Sequence, residues 1–155
     1  MEPIGFTCSE VLPLSSREIC AEIARVEGWS GFAGYGIVPG IAHAEYETRT
    51  AGVTGSRIRV RNRDGSRHVE EVLEWDPDRR VVMRIAEFSP PLDRVCERFV
   101  ETWTFEPREG GTLAHRAFAL YPRSRPARLL LRGVSFFLRR AIERHLAQMK
   151  RSARG

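Results

Sequence analysis

Most of the chain alternates hydrophobic and polar residues, which is the period of β-strands that bury one face. A first alternating run predicts a strand over residues 4–12. Ser15 then stands three residues before Glu18, a capping-box spacing that predicts the start of a short helix. We expect a second short helical turn over residues 26–32, and a loop over the glycine-rich segment 34–40.

A series of further alternating runs follows, separated by turn residues. The runs cover residues 42–50, 55–62, 69–75, 81–88, 95–106 and 112–121. Asp64-Gly65, Asp76-Pro77 and Gly110-Gly111 provide turn signals between them. Because consecutive strands joined by tight turns pair side by side, we expect an antiparallel sheet of about seven strands.

Residues 127–150 predict a long amphipathic helix at the C-terminal end of this series. Its hydrophobic stripe holds Leu131, Val134, Leu138, Ala141, Ile142, His145 and Met149, at spacings of three and four residues. Such a helix buries its stripe by lying across the concave face of a curved sheet. The expected structure is one α+β domain, residues 1–155, with two short helices between the first two strands and a ligand cavity between sheet and helix.

The chain carries a formal charge of +5, and arginine is dense after Arg123. We attribute this charge first to solubility. Nucleic acid is not an expected partner, because the basic row that includes Arg59 has no aromatic residues interleaved with it. Leu129 and Phe136 lie among arginines, which raises contact with an anionic membrane as an alternative. The favoured explanation for the position of these two residues is that the first turns of the helix pack against the 34–40 loop, or that the helix bends at Gly133.

The sequence offers no sign of a metal or cofactor. Cys8, Cys20 and Cys96 are scattered and odd in number, which argues against a disulfide framework and a zinc site. No glycine-rich phosphate loop follows a strand. We also find neither a signal peptide nor an apolar run long enough to span a bilayer, and therefore expect a cytoplasmic protein without metal or cofactor.

Strand phase selects the side chains that we expect to face the cavity. Residues two apart on a strand share a face, so a polar residue in phase with apolar ones is expected to point inward with them. The candidates are Tyr46, Asn62, Glu71, Trp75, Glu101, Trp103, Arg116, Phe118, Leu138, Ala141 and His145.

Three of these candidates have the chemistry of general acid–base catalysis. Arg116 is the natural partner for either Glu71 or Glu101, and the other carboxylate, if unpaired in an apolar pocket, would have a raised pKa. His145 would relay protons near neutral pH. The alternative is that the Glu–Arg pair is structural and that His145 only lines the pocket.

Several motifs resemble the START-like (SRPBCC) superfamily, in particular its polyketide cyclase/dehydrase-like branch. They are the strand end at Pro13, the segments 74–80 (EWDPDRR) and 101–105 (ETWTF), and Gly110-Gly111-Thr112. The resemblance implies a helix-grip fold, in which a seven-stranded antiparallel sheet wraps around the C-terminal helix and encloses an apolar cavity. Members bind lipids, sterols, polyketides or plant hormones, and some catalyse cyclisation or dehydration.

This resemblance implies a small hydrophobic or aromatic ligand as the partner. Three functions remain open at this point: a polyketide cyclase or dehydratase, a non-catalytic carrier, and a module that binds a partner protein. An enzyme should have an unpaired carboxylate or histidine in its cavity. A carrier should have mutually satisfied polar groups, and a partner-binding module should have a filled interior.

Overall fold

The computed structural model describes residues 1–155 and begins with the elements that the N-terminal sequence predicts. Strand β1 spans Ile4–Leu12, and helix α1 spans Ser16–Ala24. Ser15 caps α1, because its Oγ accepts a hydrogen bond from the Glu18 N–H at 3.1 Å and its own N–H donates to the Glu18 carboxylate at 3.0 Å. A 3₁₀ helix, Val26–Gly31, follows, so both predicted short helices are present.

The glycine-rich segment is a small ribbon where the sequence predicted a loop. Its two-residue strands, β2 (Gly34–Tyr35) and β3 (Val38–Pro39), pair antiparallel. At the tip, Gly36 has a φ of +56°, and a Cβ there would lie 2.3 Å from the Phe137 ring. Only glycine fits this position, which lets the C-terminal helix pack closely against the ribbon.

The sheet is completed by longer strands that follow the predicted runs. They are β4 (Ile41–Thr48), β5 (Arg57–Asn62), β6 (Arg67–Asp76), β7 (Arg80–Ala86), β8 (Cys96–Arg108) and β9 (Gly111–Pro122). The seven-stranded sheet has the order β1-β9-β8-β7-β6-β5-β4, and each neighbouring pair is antiparallel. This confirms the predicted sheet, with the first strand returning to pair with the last.

Helix α2, Arg125–Arg154, is capped by Ser124 and packs along the concave face of the sheet. Leu131, Leu138 and Ile142 from its stripe are buried in the main hydrophobic core. This arrangement confirms the helix-grip fold. No helix of the structure, α2 included, has both the length and the apolar sequence that crossing a membrane requires.

The three cysteines are core residues. All of them are buried and unbridged. Burial raises the pKa of the Cys20 thiol to about 12 and that of the Cys96 thiol to about 11. Because the thiolate is the reactive form, these two side chains are unreactive near neutral pH and serve as small apolar groups.

Candidate functional site

A cavity of about 550 Å³ lies between α2 and the concave face of the sheet. Most of its wall is apolar, and aromatic rings form a large part of it. The apolar lining includes Phe88, Phe99, Trp103, Phe118, Leu138 and Ile142. Two hydrogen-bonded groups of polar side chains belong to this wall, and we call them the arginine cluster and the histidine cluster.

The arginine cluster consists of Glu101 from β8, Arg116 from β9 and His145 from α2. Trp103 lies directly opposite Arg116 in the β8–β9 register, so Glu101, two residues earlier on β8, is a diagonal neighbour of Arg116 on the same face. The Arg116 Nε–H donates to Glu101, and its Nη1 donates to His145 Nδ1 at 2.9 Å. The Arg116 guanidinium also lies over the Trp103 ring, 4.6 Å from its centroid.

Burial dominates the ionisation of this cluster. It raises the pKa of Glu101, while the charge of Arg116 acts in the opposite direction and the neighbouring Glu70 adds to the rise. Burial and, secondarily, the charge of Arg116 lower the pKa of His145 to about 3. A pKa this low speaks against the prediction that His145 relays protons near neutral pH. Its Nδ1 accepts from Arg116, so the neutral ring carries its proton on Nε2.

The histidine cluster lies at the β5–β6 turn and consists of Asn62, Ser66, His68 and Glu70. His68 Nε2 and Glu70 Oε2 are 2.9 Å apart, and Asn62 Nδ2 lies 3.5 Å from His68 Nδ1. Asn62 also donates to Ser66 Oγ at 3.1 Å, and Ser66 donates to Asp64 at 2.6 Å. This chain of hydrogen bonds holds the imidazole in one orientation, in which the Nε2–H of His68 donates to the Glu70 carboxylate.

Glu70 takes the inward position that the sequence assigned to Glu71. A β-bulge between Val72 and Glu74 shifts the register of β6 against β7, so the inner face is reversed on the two sides of the bulge. Trp75, after the bulge, lies on the concave side of the sheet opposite the buried Val81, where it packs against the core. Glu71, before it, lies on the convex face and pairs with Arg84 and Arg57, so its prediction as a cavity residue is wrong.

The sequence contains a signal for the histidine cluster on β6. His68 and Glu70 are two residues apart on one strand and therefore share a face. They are in phase with Val72, which faces the core. Counting the phase from Trp75, which lies beyond the bulge, selects Glu71 instead.

Most of the other predicted residues do line the cavity. Those in the wall are Asn62, Glu101, Trp103, Arg116, Phe118, Leu138 and His145. Tyr46 does not, because its hydroxyl donates to the Ala24 carbonyl at 2.6 Å and ties β4 to α1. Trp75 packs against the core beside the cavity, and Ala141 borders a smaller recess behind the helix. The structure thus removes these three from the cavity wall.

A curved antiparallel sheet closed by a C-terminal helix over an apolar cavity defines a helix-grip protein with a ligand pocket. Comparison with family models agrees, because residues 15–154 match the family described as polyketide cyclase / dehydrase and lipid transport. The chain belongs to this family, within the SRPBCC superfamily that its motifs resemble. It is a hydrophobic-ligand-binding member of that superfamily.

Solved structures share the fold at low sequence identity. The Zhui aromatase/cyclase from a Streptomyces species has a TM-score of 0.75 at 13% identity, covering 98% of this chain and 94% of that one. A Thermus thermophilus protein reaches 0.72 at 18% identity, covering 97% of both chains. Major latex-like protein 151 from Panax ginseng reaches 0.65 at 15% identity, covering 94% of this chain and 98% of that one. No curated protein matches the sequence.

Proposed function

We propose that the protein binds an apolar, polyketide- or lipid-like molecule in the cavity, with an oxygen atom of that molecule directed at Arg116. The observation that carries this proposal is the cavity itself, whose volume of about 550 Å³ and mostly apolar wall suit a small organic ligand. A module that binds only a partner protein should have a filled interior, and this interior is open.

One nitrogen of the Arg116 guanidinium is left without a partner and could bind such a ligand. Its Nε–H is taken by Glu101 and its Nη1 by His145, whereas Nη2 makes no hydrogen bond within the protein and is not sealed from solvent space. A carbonyl or hydroxyl oxygen would satisfy it. The cluster therefore gives the cavity a polar position that would orient an otherwise apolar molecule.

The same cluster favours binding over chemistry at this position. Glu101 is paired with Arg116, and a His145 pKa of about 3 leaves the ring neutral near pH 7, without the second proton that a general acid would give. A carrier is expected to have polar groups satisfied in this way. The structure thus supports a ligand-binding role for the residues that the sequence suggested as catalysts.

We expect an apolar molecule to co-purify with the protein. Native mass spectrometry of the purified protein, followed by analysis of its denatured extract, would detect the molecule and give its class.

As a direct test, Val134→Trp places a large ring in the cavity wall and should weaken binding of the neutral dye N-phenylnaphthylamine about tenfold or more.

Val11→Trp is the matched control, since Val11 is exposed on β1 and lies outside the cavity wall. It should bind the dye as the native protein does. Two results together would refute the proposed cavity ligand. They are a purified protein that carries no apolar molecule, and a dye affinity that Val134→Trp does not change.

A second candidate function, dehydration or cyclisation of a bound polyketone, is favoured by the histidine cluster. His68 and Glu70 line the same cavity and form a histidine–carboxylate pair, the arrangement of a general base. The pair would accept the proton of a C–H bond next to a carbonyl. Return of that proton to a departing hydroxyl would break the C–O bond, form a C=C bond and release water.

Glu70→Gln tests this activity once a substrate is known. It keeps the shape of the side chain but removes the charge that holds the His68 proton, and should lower the turnover rate by about 10²–10⁴. Glu71→Gln is the control, because Glu71 is the neighbouring residue on the convex face. Equal rates for the two variants would exclude the pair from catalysis and leave the carrier function.

A further inference from the structure

Helix α2 carries a second apolar stripe that the fold does not use. Leu129 and Phe136 are seven residues apart, so they share one helix face, opposite the buried Leu131 and Leu138. Leu129 is 71% exposed and Phe136 is 54% exposed. The expectation that these side chains pack against the glycine-rich ribbon is wrong for both, and it is Phe137 that makes this contact.

The stripe lies among arginines that few acidic residues compensate. From Arg123 to Arg140 the chain contains no Asp or Glu. The arginines of this segment are Arg123, Arg125, Arg128, Arg132, Arg139 and Arg140. None of Arg125, Arg132 and Arg140 makes an ion pair, whereas most arginines of the sheet do, and in this segment only Arg139 pairs with a carboxylate, that of Glu143 at 3.9 Å. An anionic partner would complement this surface.

The stripe is continuous with the mouth of the cavity. Leu130 follows Leu129 on the helix and is 56% exposed, and Ile37 at the ribbon tip is 62% exposed. Both also line the cavity. Leu130 and Ile37 therefore border the cavity, and the stripe of Leu129 and Phe136 lies next to Leu130 on the outer face of α2. We call these four exposed side chains the rim.

We propose that this rim, together with Arg125, Arg132 and Arg140, docks the protein on an anionic lipid bilayer. The proposal rests on the proposed function, since an apolar ligand partitions into lipid and would then enter the cavity without crossing water. A bilayer fits better than an acidic protein because it supplies phosphates for the arginines and an apolar layer for the exposed side chains, next to a cavity whose own wall is mostly apolar. Leucine and phenylalanine would insert at the headgroup boundary while the arginines contact lipid phosphates.

Vesicle sedimentation tests the proposal. We expect the protein to sediment with phosphatidylcholine vesicles that contain phosphatidylglycerol, and to be released by high salt, which screens the arginine–phosphate attraction. Leu129→Ser with Phe136→Ser should lower the bound fraction about tenfold, because both side chains would lose their insertion into the bilayer. Arg132→Gln with Arg140→Gln should weaken binding and reduce its dependence on salt.

Leu73→Ser is the matched control, since Leu73 is exposed on β6, away from the rim, and should bind vesicles as the native protein does. The dye assay is run on each variant in parallel. Native dye affinity without sedimentation on anionic vesicles would overturn the docking proposal and leave the cavity ligand intact. Self-association that Leu129→Ser with Phe136→Ser abolishes would also overturn it, because a second copy of the chain would then cover the rim.

Discussion

Replacement of Arg116 by Met is expected to lower the free energy of unfolding by about 3–5 kcal/mol. The side chains of Glu101 and Arg116 are only 4% and 11% exposed, and the Arg116 Nε–H donates to the Glu101 carboxylate. Removal of the guanidinium leaves a carboxylate buried without its counter-charge, and it also takes the hydrogen-bond donor from His145 Nδ1. Urea denaturation followed by circular dichroism measures the difference.

Two variants separate the effect of a lost buried charge from that of a lost arginine. Arg84→Met breaks a Glu–Arg pair on the convex face, where water replaces the interaction, and should cost at most about 1 kcal/mol. Glu101→Leu combined with Arg116→Met removes both buried charges and should recover most of the stability that Arg116→Met loses. Equal losses from Arg116→Met and Arg84→Met would show that Glu101 is not a buried, uncompensated charge in the variant.

The overall fold follows from sequence signals that depend on local chemistry. The Ser15–Glu18 capping box, the turn residues between strands and the hydrophobic stripe of α2 each specify one element, and their order leaves little choice of topology. The glycine-rich ribbon was missed because two-residue strands have no alternation to detect. Its pairing depends instead on close contact between Gly36 and Phe137, which is a tertiary contact.

The candidate site was only partly predictable, because strand phase is reliable only between bulges. β8 and β9 pair without irregularity from Arg98 to Arg108, so Glu101 and Arg116 were placed correctly. The bulge in β6 leaves no clear sequence signal. Because of it, Glu70 and not Glu71 faces the cavity. The low pKa of His145 was also out of reach, since it depends on burial and on the distance to Arg116.

His145 makes the stability of the protein depend on pH in a definite direction. Its pKa is about 3 in the folded chain, against 6.5 for the free side chain, so between these values the unfolded chain binds more protons than the folded one. Stability therefore falls as the pH is lowered from about 6.5 towards 3, by up to about 1.4 kcal/mol per pH unit. The raised pKa of Glu101 acts in the opposite direction, so the contribution of His145 has to be isolated by a variant.

His145→Asn provides this variant, because the asparagine Oδ1 can replace Nδ1 as the acceptor for Arg116 while the titrating ring is removed. We expect its unfolding free energy to decline less steeply than that of the native protein as the pH falls through this window, with the two curves parallel above pH ~7. Urea denaturation at a series of pH values gives both curves. Leu73→Asn is the control, since Leu73 is exposed on β6 and carries no titrating group, so this variant should keep the native pH dependence. A His145→Asn curve that stays parallel to the native one down to pH ~4 would mean that His145 accepts its proton in the folded chain, and would restore it as a proton donor in the cavity.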